Sequence, residues 1–166
     1  AAGVDVTVRR QAASGVNGWV SYTWARLRMR DPATGERFDA DFDQRHTLNA
    51  VASYKTNGGW EFGARFRLAT GAPETPVIDS TYDADDNDYD PVEGPFRSGR
   101  RKAFHQLDAR IDKTWTFNTW MLGLYLDVQN VYNHNNSTAY TYNYDYSRSG
   151  KVGAVPLLPI FGLKAE

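Results

Sequence analysis

The side chains best equipped for chemistry in this chain are carboxylates, histidines and tyrosines, and their spacing limits what each group can do. Asp83, Asp85, Asp86, Asp88 and Asp90, with Asn87 and Glu93, crowd oxygen donors into one short stretch. A hard cation such as Ca2+ takes six to eight oxygen ligands, so this stretch is the one candidate metal site. It lacks the glycine and the spaced bidentate glutamate of an EF-hand loop, and charge runs are more often solvated surface, the simpler expectation. His46, His105 and His134 show no metal-site spacing. Neither GxSxG nor HExxH occurs, and no strand register joins a nucleophile to a base, so no enzyme is expected. Cysteine is absent, which removes disulfides and thiolate metal sites. Tyr140, Tyr142, Tyr144 and Tyr146 alternate. They form either an aromatic platform for a flat or chelated ligand or, more simply, cross-strand packing in a stiff hairpin.

The elements that must carry these groups read as strands. Val4, Val6 and Val8 alternate with Asp5, Thr7 and Arg9, and Val20, Tyr22 and Trp24 with Ser21 and Thr23. Leu48, Ala50, Ala52 and Tyr54 continue the pattern, although Val51 interrupts its polar row. Trp60, Phe62, Ala64, Phe66 and Leu68 oppose Glu61, Arg65 and Arg67; Leu107, Ala109, Ile111 and Trp115 oppose Asp108, Arg110 and Asp112; Leu122, Leu124, Leu126 and Val128 oppose Tyr125 and Asp127. Strict alternation over this length is a strand signal, because successive Cβ atoms point to opposite faces.

A water-soluble sandwich also alternates, but two details point to a membrane barrel. The strands run about 9–11 residues, the length a tilted membrane strand needs. One face carries charge in mid-strand at Glu61, Arg65, Arg67, Asp108, Arg110, Asp112 and Asp127. The other face is aliphatic in the middle and aromatic near its ends, at Trp60, Trp115, Phe117 and Trp120. The charges line a polar permeation path or, more simply, pair with one another. Mean hydropathy is −0.60, and no apolar run reaches the roughly 18 residues of a spanning helix. Net charge is −1, which points to no nucleic-acid partner.

Connections alternate between short (Ala12–Asn17, Asn57–Gly59, Asn118–Thr119) and long (Met29–Asp43, Thr70–Ala103, Tyr132–Val155). Outer-membrane barrels have short periplasmic turns and longer extracellular loops. The expected path therefore starts downward from outside, crosses seven times and ends with Leu157–Glu166 running into the periplasm, with the Tyr140–Tyr146 run held above the membrane. A two-residue turn at Asn118–Thr119 sets Phe117 opposite Trp120 and Arg110 opposite Asp127. By the same parity His46 and His105 point outward near the extracellular rim. Seven is an odd number, whereas bacterial single-chain barrels close with an even one, so the expectation is a segment of a larger barrel. The start shows no apolar leader; the chain is read as mature or as a fragment.

The segments DQRHTLNAVASY (43–54), WEFGARFRLATGAPETPV (60–77), FHQLDARIDKTWTF (104–117), LYLDVQNVYNHNN (124–136), YNYDYS (142–147) and PLLPIFGLKAE (156–166) together resemble the C-terminal part of TonB-dependent receptors. The resemblance implies an antiparallel transmembrane β-barrel of about 22 strands, of which residues 1–166 supply the last seven, in a Gram-negative outer membrane. It implies a plug domain, not contained in this sequence, that fills the lumen and contacts the TonB complex. It also implies a terminal aromatic residue read by the barrel-assembly machinery; parity places that aromatic just beyond Glu166. The partners implied are outer-membrane lipid, the remaining strands, the plug, TonB and the assembly machinery; no cofactor is implied. The function implied is uptake of a scarce solute such as a siderophore, cobalamin or an oligomeric nutrient. The alternative is a structural or protein-binding barrel within a larger assembly.

Overall fold

A computed structural model of the chain describes residues 1–11, 15–137 and 139–166. The expected turn at Ala12–Asn17 falls partly outside the described residues, at 12–14. Seven long strands form one sheet: β1 (Ala2–Gln11), β2 (Val16–Arg26), β3 (His46–Lys55), β4 (Trp60–Ala69), β5 (Phe104–Thr116), β6 (Met121–Gln129) and β7 (Leu158–Ala165). Each pairs antiparallel with its neighbours in the chain, giving a plain meander. No helix occurs among the described residues. Ten residues at about 3.4 Å each make a strand about 34 Å long, which at a tilt of about 40° spans the ~25 Å apolar band of a membrane barrel.

The turns set the register. Phe117 N–H donates to the Trp120 carbonyl at 2.9 Å, and the two rings stack with centroids 4.4 Å apart. Arg110 accordingly faces Asp127 and Ile111 faces Leu126, as the two-residue turn predicts. Gly59 lies at φ 75°, and a Cβ there would strike the Thr114 carbonyl, so the β3–β4 turn demands glycine.

Parity then sorts the whole sheet. One face collects Val4, Tyr22, Leu48, Phe66, Ala109, Val128 and their alternates; the other collects Asp5, Ser21, Asn49, Arg65, Asp108 and Asp127. The apolar face lies open: Val8 is 65% exposed, Leu163 69% and Phe161 82%. Ala40 and Pro73 are the buried apolar residues among the described residues, whereas the buried polar ones are Asp43, Gln106, Asp108, Asn130 and Asn136. A water-soluble sandwich of this size would hide its aliphatic side chains, each burial stabilising by about 1.5–3 kcal/mol. This sheet does the reverse, and its apolar face needs lipid.

Several positions break the sorting, Lys113, Leu158 and Ile160 among them. Lys113 stands on the apolar face but bends its ammonium back to the Gly58 carbonyl at 2.6 Å, beside the rings of Trp60 and Trp115. A lysine can bury its stem in this way while its charge reaches the polar boundary. On β7, Leu158 and Ile160 fall on the polar face, opposite Gln129 and Asp127.

The long connections are more ordered than loops. Arg28–Arg30 pairs with Arg37–Asp39, Pro73–Glu74 with Gly99–Arg100, Val77–Asp83 with Asp88–Glu93, and Tyr140–Tyr142 with Ser149–Lys151. All four ribbons stand apart from the main sheet at its long-loop end. Their charged and turn-forming residues obscure the strand period in the sequence.

Candidate functional site

The polar face is held by charges that the register brings into line. Arg65 lies opposite Asp108 across β4 and β5. Its Nε and Nη2 donate to Asp108 Oδ2 at 3.0 and 2.7 Å, and Arg67 stands 3.8 Å away. The other oxygen accepts from Gln106 Nε2 at 2.6 Å and from the Asn130 backbone N–H at 3.0 Å. Asp108 is only 5% exposed and meets the requirement that a buried charge be paired and hydrogen-bonded. Arg110 binds Asp112 two residues along its own strand at 2.8 and 2.7 Å, and Asp127 only at 3.9 Å. The expected cross-strand neighbour is therefore present but is the weaker partner. Arg110 also lies 4.1 Å over the Tyr125 ring, which itself covers Gly162. Glu61 sits between Lys55 and Asp112 in register. Arg65, Asp108, Arg110 and Asp127 border a shallow trough of about 260 Å³.

A second charge cluster clasps two long loops together, and the sequence reading missed it. Asp43 is fully buried. Its carboxylate accepts from the Leu27 N–H at 2.7 Å, from Arg45 Nε at 3.4 Å and closely from Arg100. Arg100 also donates to the carbonyls of Asp43 and Gly71 at 2.7 and 3.1 Å and to Asp39 at 2.8 Å. Arg97 adds a bond to the Asp39 carbonyl at 2.7 Å, an ion pair with Asp41, and positions 4.8 Å from the Phe38 and Phe96 rings. Burial pushes the Asp43 carboxyl up, but hydrogen bonds from Arg100 and Leu27, with the charges of Arg100 and Arg45, hold it below its ordinary value. The available signal was complementary charge: Asp39, Asp41 and Asp43 in one loop against Arg97, Arg100 and Arg101 in the next.

The outermost groups are the acidic and tyrosine-rich ribbons. Asp83 pairs with Asp88 and Asp90 with Thr81, while Asp85 and Asp86 sit in the turn between. Asp83 Oδ1 accepts from the Asp85 N–H at 2.8 Å, and Asp88 Oδ1 from the Tyr89 N–H at 2.7 Å. Among the described residues no group of three or more acidic or histidine side chains is arranged to hold a metal ion. Tyr140 and Tyr142 lie in a strand, with Tyr144 and Tyr146 in the turn that follows. Tyr144 Oη donates to the Asn87 carbonyl, and its ring meets Tyr89 edge-on at 5.4 Å. Ser80 Oγ donates to the Asp145 carbonyl at 2.7 Å, so the two ribbons form one outer platform.

The histidines are structural neighbours of tyrosine. On the apolar face, at its long-loop end, the Tyr22 hydroxyl lies 2.7 Å from His46 Nδ1, and the Tyr132 hydroxyl 2.8 Å from His105 Nδ1. His134 stacks on His105 at 3.7 Å. Burial, followed by the neighbouring His105, Lys151 and Lys102, pushes the His134 imidazole below its ordinary value.

Compared with known protein families, residues 1–131 match TonB dependent receptor-like, beta-barrel. The chain belongs to this family. Comparison with curated proteins and with solved structures gave no match.

Membership in the TonB dependent receptor-like barrels gives both faces of the sheet a meaning. The family places the sheet in a Gram-negative outer membrane, where the apolar face, with Trp60, Trp115 and Trp120, suits lipid and the opposite face is the one that carries Asp108 and Arg110. The family is one of transport receptors, not enzymes, in which a barrel associates with a plug and engages TonB.

Proposed function

We propose that residues 1–166 are the C-terminal part of the barrel of an energy-coupled uptake receptor for a scarce solute: a siderophore, cobalamin or an oligomeric nutrient. The short turns face the periplasm, the ribbon-bearing loops face outside, and β7 runs down into the periplasm. The observation that carries this reading is the inverted sheet, apolar where open and ion-paired on the lumen wall, in a chain of this family. β1 and β7 each bond to a single neighbour. An unpaired strand edge is untenable in hydrocarbon, so further strands, about 22 in all, close the barrel. The arginines and carboxylates of the lumen wall suit contact with a polar plug, through which TonB acts. The assembly machinery reads the end of β7.

Two measurements test this. The intact mass of the native polypeptide from solubilised outer membrane is expected to be several times 18.7 kDa. A mass equal to that of this chain would overturn the segment reading. Solute uptake by cells carrying the receptor is expected to vanish when TonB is deleted; uptake that survives would overturn energy coupling.

A further inference from the structure

The outer platform contains two adjoining clefts. One, of about 430 Å³, is lined by Asp88, Thr141 and Asn143 with Tyr140, Tyr142, Tyr144 and Tyr146. The other, of about 400 Å³, is lined chiefly by Asp79, Ser80, Asp145, Ser147 and Ser149, and shares Tyr142 and Tyr146 as a common wall. No Lys, Arg or His lines either cleft. Between Val77 and Glu93 there are seven acidic residues and no Lys or Arg. Arg148 lies between Ser147 and Ser149 and Lys151 pairs with Tyr140, but the carboxylates outnumber these cations, so the clefts work against anionic ligands, including acidic ferric chelates.

The carboxylates are arranged to accept single hydroxyls and not to chelate. Asp79 Oδ1 takes the Ser80 N–H at 2.9 Å, Asp88 Oδ1 the Tyr89 N–H at 2.7 Å, and Asp145 Oδ1 the Ser147 N–H at 3.1 Å and hydroxyl at 2.6 Å. Each engages one oxygen inside the protein. The tyrosine rings are held in advance of any ligand. Tyr142 and Tyr146 pack at 5.4 Å with planes 35° apart, while Tyr144 is fixed by Asn87 and Tyr89 yet remains 60% exposed. Tyr146 occupies φ 56°, a left-handed conformation that asparagine or glycine adopts more readily than a bulky aromatic. Keeping an aromatic ring there works against local backbone preference.

Rigid aromatic faces, hydroxyls, an amide and singly available carboxylate oxygens, with no cation, match one ligand chemistry. We propose that these clefts bind an uncharged, polyhydroxylated ligand, a saccharide of at least two rings, placing successive rings on either side of the Tyr142–Tyr146 wall. The apolar C–H face of a sugar ring packs on tyrosine while its hydroxyls bond the polar rim. This rests on reading the chain as part of an uptake receptor, and it narrows the solute class to the oligomeric nutrient.

The test uses the complete receptor in detergent micelles, titrated calorimetrically with neutral hexasaccharides (cello-, xylo- and malto-), their monosaccharides, a sulfated oligosaccharide and an anionic ferric tricatecholate. At least one neutral hexasaccharide is expected to bind, its monosaccharide far more weakly, and the two anions not at all. Y146N is expected to weaken binding about tenfold or more while leaving the melting profile unchanged, because asparagine relieves the backbone. Y142F, which keeps the ring, is expected to retain most of the binding. Absence of binding by every neutral oligomer, or binding indifferent to Y146N and Y142A, overturns the inference. TonB-dependent uptake of the ferric tricatecholate would sink the saccharide assignment and leave the uptake reading standing, whereas uptake of a neutral oligomer that ignores TonB would do the opposite.

Discussion

Arg100→Ala should unlock the clasp between the first two long loops. The substitution removes four hydrogen bonds: two to backbone carbonyls, at Asp43 and Gly71, and two to the carboxylates of Asp39 and Asp43. Bonds to charged groups contribute about 1.5–3 kcal/mol each when dry. Arg100 is 29% exposed and Arg45 38%, so water and Arg45 recover part of the loss. Asp43, however, is fully buried and would keep its charge with one cation at 3.4 Å. A net local cost of about 2–3 kcal/mol follows, less than the 3–5 kcal/mol of a fully buried broken pair. The Leu27 amide, which donates to Asp43, is the natural sensor. Hydrogen exchange on the complete receptor should show it exchanging about 30–150 times faster in the variant. R101A is the control, since its Glu74 partner lies 3.6 Å away at an exposed site, and it should change exchange by about twofold or less. The carboxyl of Asp43 is depressed, so its stabilisation is complete above the ordinary value of about 4 and is lost only as pH falls below it. The contrast between variants should therefore stay constant from about pH 5 to 8. Unchanged exchange at Leu27, or acceleration spread equally over β5 and β6, would refute the assignment of Arg100 as the clasp.

Two further substitutions probe the sheet. Leu126→Arg puts a charge on the apolar face between Ile111 and Phe161, at a cost of about 2–4 kcal/mol; the fraction of receptor reaching the heat-resistant folded form should fall, while the same change at Gln129, on the polar face, should leave it near wild type. Asp108→Asn keeps the shape but leaves Arg65 and Arg67 without their anion, for about 1–3 kcal/mol in equilibrium unfolding; adding Arg65→Gln should cost less than the sum of the single changes, and strict additivity would show that the pair is not coupled.

The sheet was legible because a single constraint acts on every strand residue. Lipid on one side and polar surroundings on the other impose period two, and once Phe117 and Trp120 flank a two-residue turn the positions of Arg110 and Asp127 follow. The loops obey no such constraint. Val77–Asp83 and Asp88–Glu93 pair as strands although Asp83, Asp88 and Asp90 give them the composition of a solvated loop. Asp43 and Arg100 meet across 57 positions of chain, and nothing periodic joins them. The preference of Arg110 for Asp112 over Asp127 is a rotamer choice that register leaves open. Tyr146 was visible as one of four alternating tyrosines, but its left-handed backbone was not, because tyrosine gives no local cue for it.

The meander also has a kinetic consequence. Each strand bonds only to strands adjacent in sequence, so every hairpin can form from a contiguous stretch of chain without waiting for a distant partner. Loop closure across the two-residue β5–β6 turn is faster and loses less entropy than closure across the connection between β4 and β5. The sheet is thus suited to growth as a zipper, one hairpin at a time, with the tight-turn hairpins β3–β4 and β5–β6 as natural first teeth and the order of the remaining additions governed by connection length.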